Sequence, residues 1–216
     1  MKSALVVQGG WQGHHPQAVA DILAVGLRER GFAVDIADSL DAFKEPGLSE
    51  RDLVVPIWTM GSIEQDQLKP LLEAVRGGVG LGGVHGGMCD AFRNATEWQF
   101  MTGGQWVAHP GNQGVTYTVN ITQPDHPACQ GVEDFSITSE QYYMHVDPGV
   151  EVLATTVFET TGGVVMPVTW TKSWGRGRVF YCSLGHVPED VQLPMAHRMI
   201  LQGLCWAAEG KAVAAA

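Results

Sequence analysis

Basic residues are scarce in this chain. Thirteen Lys and Arg stand against 23 Asp and Glu, a formal charge of -10. The electrostatic footprint of a nucleic-acid binder is therefore missing, and an acidic membrane surface is an equally poor partner. Charged residues of both signs reach only 17%, below the roughly 25% usual in soluble domains. Long hydrophobic runs are also missing, since no apolar stretch approaches the ~18 residues that span a bilayer. The opening MKSALVVQGG has too short an apolar run for a signal peptide and no cleavage site, so a cytoplasmic location is the default expectation. Cysteine is sparse: Cys89, Cys129, Cys182 and Cys205 are spread without paired spacing. That excludes a disulfide framework and a zinc ribbon, and they read as buried thiols in a reducing compartment.

What the chain does have is apolar bulk, glycine and histidine. Hydrophobic residues make up 45% of 216 residues, enough to bury a sizeable core as a single domain over residues 1–216. The 27 glycines are nearly twice the number that a share of about 7% would give, and there are eight His. Their positions carry the argument.

The first half alternates strand and helix. Ala4 to Gln8 is a short apolar strand ending at Gly9-Gly10, and Gln17 to Arg30 has apolar residues at helical spacing, stopped by Gly31. Phe32 to Ala37 and Leu53 to Trp58 read as strands, Ile63 to Arg76 as a helix ended by Gly77-Gly78, and Val79 to His85 as a fourth strand. This order predicts an α/β fold, a mostly parallel sheet with helices on both faces. Met88 to Phe100 is expected as a third helix, followed by a Gly-rich loop from Gly103 to Gly114. Beyond it, Val115–Ile121, Phe135–Thr138, Val152–Glu159, Val164–Lys172 and Arg178–Leu184 are strand-like and suggest added antiparallel strands in the second half. Ser173 to Gly177 reads as a hairpin turn. Val191 to Ala208 reads as a closing helix with a frayed Ala-rich tail.

In open α/β sheets, ligands bind outside the carboxyl ends of the strands. Here the first strand runs into Gly9-Gly10-Trp11-Gln12-Gly13-His14-His15, the third into Trp58, the fourth into His85-Gly86-Gly87 and the last into Gly185-His186. If these strands are neighbours, His14 or His15, His85 and His186 converge on one crevice. A strand turning into a helix between glycines is the geometry of a nucleophile elbow, but the elbow position holds His85, suited to proton transfer, oxyanion stabilisation or metal binding. Cys89, four residues on, is better read as a buried thiol than as a nucleophile, which disfavours glutaminase-type catalysis.

The second half adds His109 in the Gly-rich loop and the polar run Ser139 to Asp147. If extended, that run places Glu140, Tyr142 and Met144 on one face and Gln141, Tyr143 and His145 on the other. His85 and His186 are the expected acid and base, with Glu140 their partner carboxylate. The expected substrate-binding set is His14, His15, Trp11, Trp58, Trp106, His109, Tyr142 and Tyr143, with the tryptophans as plates for a sugar ring. A divalent ion, zinc above all, is expected among His85, His109 and His145, with Glu140 as a further ligand, although the ligands come singly from separate segments. No nucleotide cofactor is expected. His126, in a turn, and His197, on the last helix, read as structural.

The strings PVTWTKSWGRGRVFYCSLGH (Pro167–His186), GVGLGGVHGG (Gly78–Gly87), GGQWVAHPGN (Gly103–Asn112) and SEQYYMH (Ser139–His145) together resemble the ThuA-like, or trehalose-utilisation, family over nearly the whole chain. The resemblance implies a flavodoxin-like, class I glutamine amidotransferase-like three-layer sandwich that lacks the amidotransferase cysteine. It places His85 where that superfamily carries its nucleophile and His186, followed by Pro188-Glu189, near its triad His. It further implies a role on a sugar or 3-keto-sugar, with a sugar dehydrogenase acting in the same pathway. The expected function is thus His-mediated acid–base or metal-assisted chemistry on a small sugar derivative. The alternative is a non-catalytic carbohydrate-binding or regulatory protein. An exposed edge strand would support a homodimer.

Overall fold

A computed structural model describes residues 1–214. Five parallel neighbours make up one half of a nine-stranded sheet: β1 (Lys2–Gly10), β2 (Phe32–Ala37), β3 (Leu53–Thr59), β4 (Gly80–Val84) and β11 (Gly177–Cys182). The other half is β6 (Val115–Ile121), β7 (Phe135–Ser139), β9 (Glu151–Phe158) and β10 (Val164–Trp174), and the full order is β2-β1-β3-β4-β11-β10-β9-β6-β7. Every ladder from β11 outward to β7 is antiparallel. Because direction alternates along these ladders, the carboxyl end of β7 leaves the sheet on the same edge as that of β11.

The helices are α1 (Pro16–Glu29), α2 (Gln65–Arg76), α3 (Gly86–Cys89), α4 (Thr96–Thr102), α5 (Pro188–Gln192) and α6 (Pro194–Ala214). Along β1, Ala4 and Val6 face a core with Val19, Leu23 and Leu27 of α1 and Leu201 and Leu204 of α6. Leu5 and Val7 face the other, with Leu68, Leu71 and Val75 of α2 and Trp98 of α4. Burial on both faces is why these strands read as continuous apolar runs, and it makes the fold a three-layer sandwich. β4 is rich in glycine because α6 packs onto its backbone. A Cβ at Gly80 would lie 2.5 Å from the Ala207 carbonyl carbon, and one at Gly82 would lie 2.5 Å from Leu204 Cδ2.

Four local expectations are corrected. The segment Met88–Phe100 is not one helix: α3 and α4 are separated where Met60 bridges Ala91, with Met60 N–H donating to Asp90 O and Phe92 N–H to Met60 O. Phe92 there takes φ 47°, which a helix cannot continue through. The Gly-rich segment contains a strand, β5 (Gly104–Ala108), which pairs antiparallel with β8 (Tyr143–Val146) in a separate two-stranded sheet. The last strand-like segment, β11, is not an antiparallel addition but pairs parallel with β4, placed there by the hairpin from β10. The closing helix is broken at Leu193 and Pro194, since Pro194 has no N–H to continue α5. Of the Ala-rich tail, Ala215 and Ala216 lie outside the described residues. No helix among the described residues is long and apolar enough to cross a membrane.

Candidate functional site

The site grows from the carboxyl edge of the sheet. β3 and β4 pair only at Leu53↔Gly80 and Val54↔Leu81. Beyond Val54 the strands part, and α3 fits between their ends, with Gly87 against the Ile57 backbone and Met88 against Gly83. His85 makes the turn from β4 into α3 with φ 50° and ψ -140°. A side chain other than glycine pays for this region, about 1–3 kcal/mol, and persists there only where the surroundings hold it. Three bonds do so: His85 N–H donates to Cys182 O (2.7 Å), Tyr181 OH donates to His85 O (2.9 Å), and the ring Nδ1 lies 2.8 Å from Ser183 O. A carbonyl oxygen only accepts, so Nδ1 carries a proton and Nε2 is left to face the cluster.

His85 Nε2 lies 3.2 Å from Glu140 Oε2, within hydrogen-bond distance. Glu140 follows the carboxyl end of β7. Its backbone carbonyl accepts from Tyr117 OH (3.0 Å), and the Ser139 hydroxyl before it donates to Asp190 (2.5 Å). His186 follows β11, with Nε2 3.1 Å from Gln113 Oε1 and Nδ1 3.3 Å from Glu140 Oε2. That Nδ1 is buried and has no aligned hydrogen-bond partner. His14 arrives from β1 through a turn of 3-10 helix, with Nδ1 2.9 Å from Thr59 Oγ1 and Nε2 3.8 Å from Glu140 Oε2. His109 Nε2 stands 3.7 Å from the other oxygen, Oε1. Side-chain exposure separates this last ring from the rest: 29% for His109, against 2–8% for His14, His85, His186 and Glu140.

The charge states follow from these contacts. Burial alone would raise the Glu140 pKa, but the His186 and His85 rings beside it more than reverse this and hold the carboxyl below its ordinary range. Burial, then the neighbouring His85, pushes His14 down to about 3, with Glu140 opposing. The centre is therefore a carboxylate facing a neutral His14. Each of His14, His85, Glu140 and His186 offers one ligand atom, all within 4.8 Å of one another, so the cluster can hold a metal ion.

His85, His186, Glu140, His14 and His109 are thus brought together, and Tyr142 stacks on His85 at 4.0 Å. His145 is not with them. It is exposed on the face of the β5–β8 sheet opposite Met144, paired with Gln105, and lines a cleft of about 360 Å³ beside Phe100 and Asp147. His15 is exposed at the start of α1. Trp11 is 47% exposed with its ring set edge-on to His14 at 4.7 Å, whereas Trp58 packs over Gly9, whose Cβ would fall 2.4 Å from its ring. Tyr143 turns from the cluster to meet Phe158 edge-on at 5.3 Å, and Trp106 lies 5.4 Å from His109. His126 accepts from Ala128 N–H and His197 pairs with Val191 O, both structural roles. Cys89 is buried, and burial pushes its thiol well above the ordinary range. Thr59, Ser183, Gln113 and Asp190 orient the cluster but were not singled out from sequence; single hydroxyl and amide residues in strand ends and loops carry no periodicity or motif.

The comparisons with known proteins agree with this architecture. The structure is similar to that of a ThuA-like protein from Parabacteroides merdae, at 21% identity and TM-score 0.81, covering 97% of this chain and 91% of that one. It is similar to a cytoplasmic protein from Salmonella typhimurium LT2 at 15% identity and TM-score 0.68, covering 95% and 99%. It also resembles part of a β-galactosidase from Bacillus circulans sp. alkalophilus at 15% identity and TM-score 0.61, covering 98% of this chain but 31% of the enzyme. At these identities the likeness is one of fold. No curated protein matches the sequence. The model of the ThuA family, described as trehalose utilisation, matches residues 3–207. With nearly all of its length inside that match, the chain belongs to the ThuA trehalose-utilisation family.

Proposed function

We propose that the chain is an enzyme acting on a sugar or 3-keto-sugar derivative at the carboxyl-edge cluster, with a zinc ion held by His14, His85, His186 and Glu140. One observation carries the reading. With their other ring nitrogens committed to Thr59, Ser183 and Gln113, three imidazoles turn a nitrogen toward one buried carboxylate oxygen. Four donor atoms that converge this closely on one buried point are an arrangement that a bound cation can bridge. A tetrahedral zinc with ligands at about 2.0–2.1 Å spaces its donors by roughly 3.4 Å, and the three nitrogens lie 3.2, 3.3 and 3.8 Å from Glu140 Oε2. Three imidazoles and one carboxylate are a donor set that zinc accepts.

Such an ion, when bound, polarises a substrate carbonyl or hydroxyl. The chain supplies the rest: Thr59, Ser183 and Gln113 fix the ring planes, and His109 stands at the mouth within reach of Glu140. An acidic proton beside a ketone suits hydrolysis, elimination or isomerisation of a keto-sugar, and oxidation of a sugar hydroxyl by a dehydrogenase is the reaction class that supplies such a substrate. Elemental analysis of protein purified without chelator tests the reading, together with turnover of a 3-keto-glucoside. About one zinc per chain, lost in His85→Gln along with turnover, is the expected result. A metal-free protein that binds the sugar without converting it, with affinity merely weakened in His85→Gln, would instead establish the non-catalytic binding alternative.

A further inference from the structure

Five buried side-chain atoms among the described residues lack a hydrogen-bond partner: Gln105 Oε1, Trp106 Nε1, His109 Nδ1, His186 Nδ1 and Gln202 Oε1. The His186 atom belongs to the cluster. Trp106 Nε1 and His109 Nδ1 do not, yet both sit beside it. Trp106 pairs across the two-stranded sheet with buried Met144, so it shares the face turned inward, while Gln105 and His145 share the other. Its ring lies 5.4 Å from His109 and 6.2 Å from Tyr142, the ring that stacks on His85.

Two facts restrict what Trp106 can do. The Arg93 guanidinium lies over its ring at 4.7 Å and is itself held by Asp90 at 2.6 and 3.0 Å, so that face is closed to a stacking sugar. The indole N–H is a donor only, and a buried donor without an acceptor is costly. His109 complements it. Its Nε2 stands 3.7 Å from Glu140 Oε1 and its Nδ1 has no partner, so a ring carrying its proton on Nε2 offers Nδ1 as an acceptor. A buried donor and a buried acceptor without partners, on neighbouring rings beside the cluster, match a group that both accepts and donates.

We infer that Trp106 Nε1–H and His109 Nδ1 form a subsite for a saccharide hydroxyl, the oxygen accepting from Trp106 and the hydroxyl proton going to His109. The inference rests on the sugar reading above and deepens it. It assigns Trp106 to hydrogen bonding rather than to ring stacking, and it selects an alcohol over a ketone at this position, because a ketone oxygen cannot donate to His109.

The test uses the full chain labelled with 15N in its seven tryptophans and eight histidines, titrated with trehalose and with a 3-keto-glucoside, with the Trp106 indole signal assigned by its loss in Trp106→Phe. The expected result is a shift of that signal on saturation and about a tenfold loss of affinity in Trp106→Phe, the size of one hydrogen bond to a buried donor. The wild-type indole signal reports even if the variant folds poorly, because His109→Ala, which also perturbs it, provides the assignment. If a probe moves the ring signals of His85 and His186 while the indole signal stays fixed and Trp106→Phe binds as tightly, the subsite is overturned and the sugar reading stands. If neither probe moves any signal of the cluster, the sugar reading fails and takes the subsite with it.

Discussion

Replacing Glu140 by Gln should stabilise the metal-free protein at alkaline pH, although it removes the only carboxylate of a buried cluster. The reasoning starts from committed protons. His85 Nδ1–H is spent on Ser183 O at 2.8 Å and His186 Nε2–H on Gln113 Oε1 at 3.1 Å. When both rings are neutral, two lone pairs face Glu140 Oε2 at 3.2 and 3.3 Å, an acceptor against acceptors. A Gln amide in the same place offers two N–H donors to those nitrogens. Two neutral bonds contribute about 1–3 kcal/mol together, or a rise in Tm of roughly 2–10 °C for a chain of this size. The assay is thermal unfolding in chelator at pH 9, above the ordinary imidazole range, repeated with zinc. Zinc should raise the wild-type Tm and leave Glu140→Gln unmoved. A loss of about 3–5 kcal/mol at pH 9, the usual cost of breaking a buried ion pair, would refute the lone-pair account and make the cluster a permanent imidazolium–carboxylate pair.

Three other expectations follow from the same structure. His14 is held at about 3 in the folded state, so the unfolded chain takes up a proton that the folded one refuses; stability is complete above the unfolded value near 6.5 and falls as pH drops from there toward 3. The ceiling on that loss is about 5 kcal/mol. Glu140, held below its ordinary value, adds a further loss as pH falls below its unfolded range, and a His14→Asn variant whose unfolding curves kept the full slope between pH 6 and 4.5 would contradict the assignment. Gly87→Ala puts a Cβ 2.9 Å from Ile57 Cα, a backbone atom that cannot yield; denaturant unfolding should show a loss of about 1–3 kcal/mol or more, and wild-type stability would refute the tight seating of α3. Iodoacetamide should modify half-buried Cys205 before buried Cys89, leaving zinc content unchanged. Rapid native labelling of Cys89, read by peptide mass, would show instead an accessible thiol beside the elbow.

Much of the fold was legible because burial on both faces leaves a mark in sequence. β1, β3 and β4 are short apolar runs punctuated by glycine, β2 alternates, and α1 and α2 keep helical spacing, so the succession of elements and a mostly parallel sheet are legible in the sequence, though not the strand order. The errors lie where long-range contacts override local pattern. From Met88 to Phe100 the residues suit a helix, but the backbone at Asp90 and Phe92 is captured by Met60, thirty residues away in the chain. β5 is glycine-rich and reads as loop, yet β8 supplies it with a ladder. Neither partner is visible from the segment itself. The site divides in the same way. His85 and His186 could be found because a strand end bounded by glycine marks the place where a ligand is met. Glu140 could be found because it heads a dense polar run. Placing His14 inside and His15 outside needed the left-handed turn at His15, φ 48°, and the outward turn of His145 follows from the register of a strand that pairs with an unexpected partner.

The elbow at His85 fixes the direction in which one side chain leaves the sheet edge. Its geometry, a strand ending in a residue at φ 50° and a four-residue helix between parted strands, projects one side chain out of the sheet edge in a fixed direction. With a thiol in that place the direction serves attack on a carbonyl. With imidazole, anchored through Nδ1 to Ser183 O and stacked on Tyr142, it aims a lone pair at a point shared with His14, His186 and Glu140. Two of the three bonds that hold the strained residue are made to its backbone by Cys182 O and Tyr181 OH, and these do not depend on the side chain at position 85; the third, from the ring to Ser183 O, does. Here the convergence is of one ligand atom each from His14, His85, His186 and Glu140, an arrangement that can hold a metal ion.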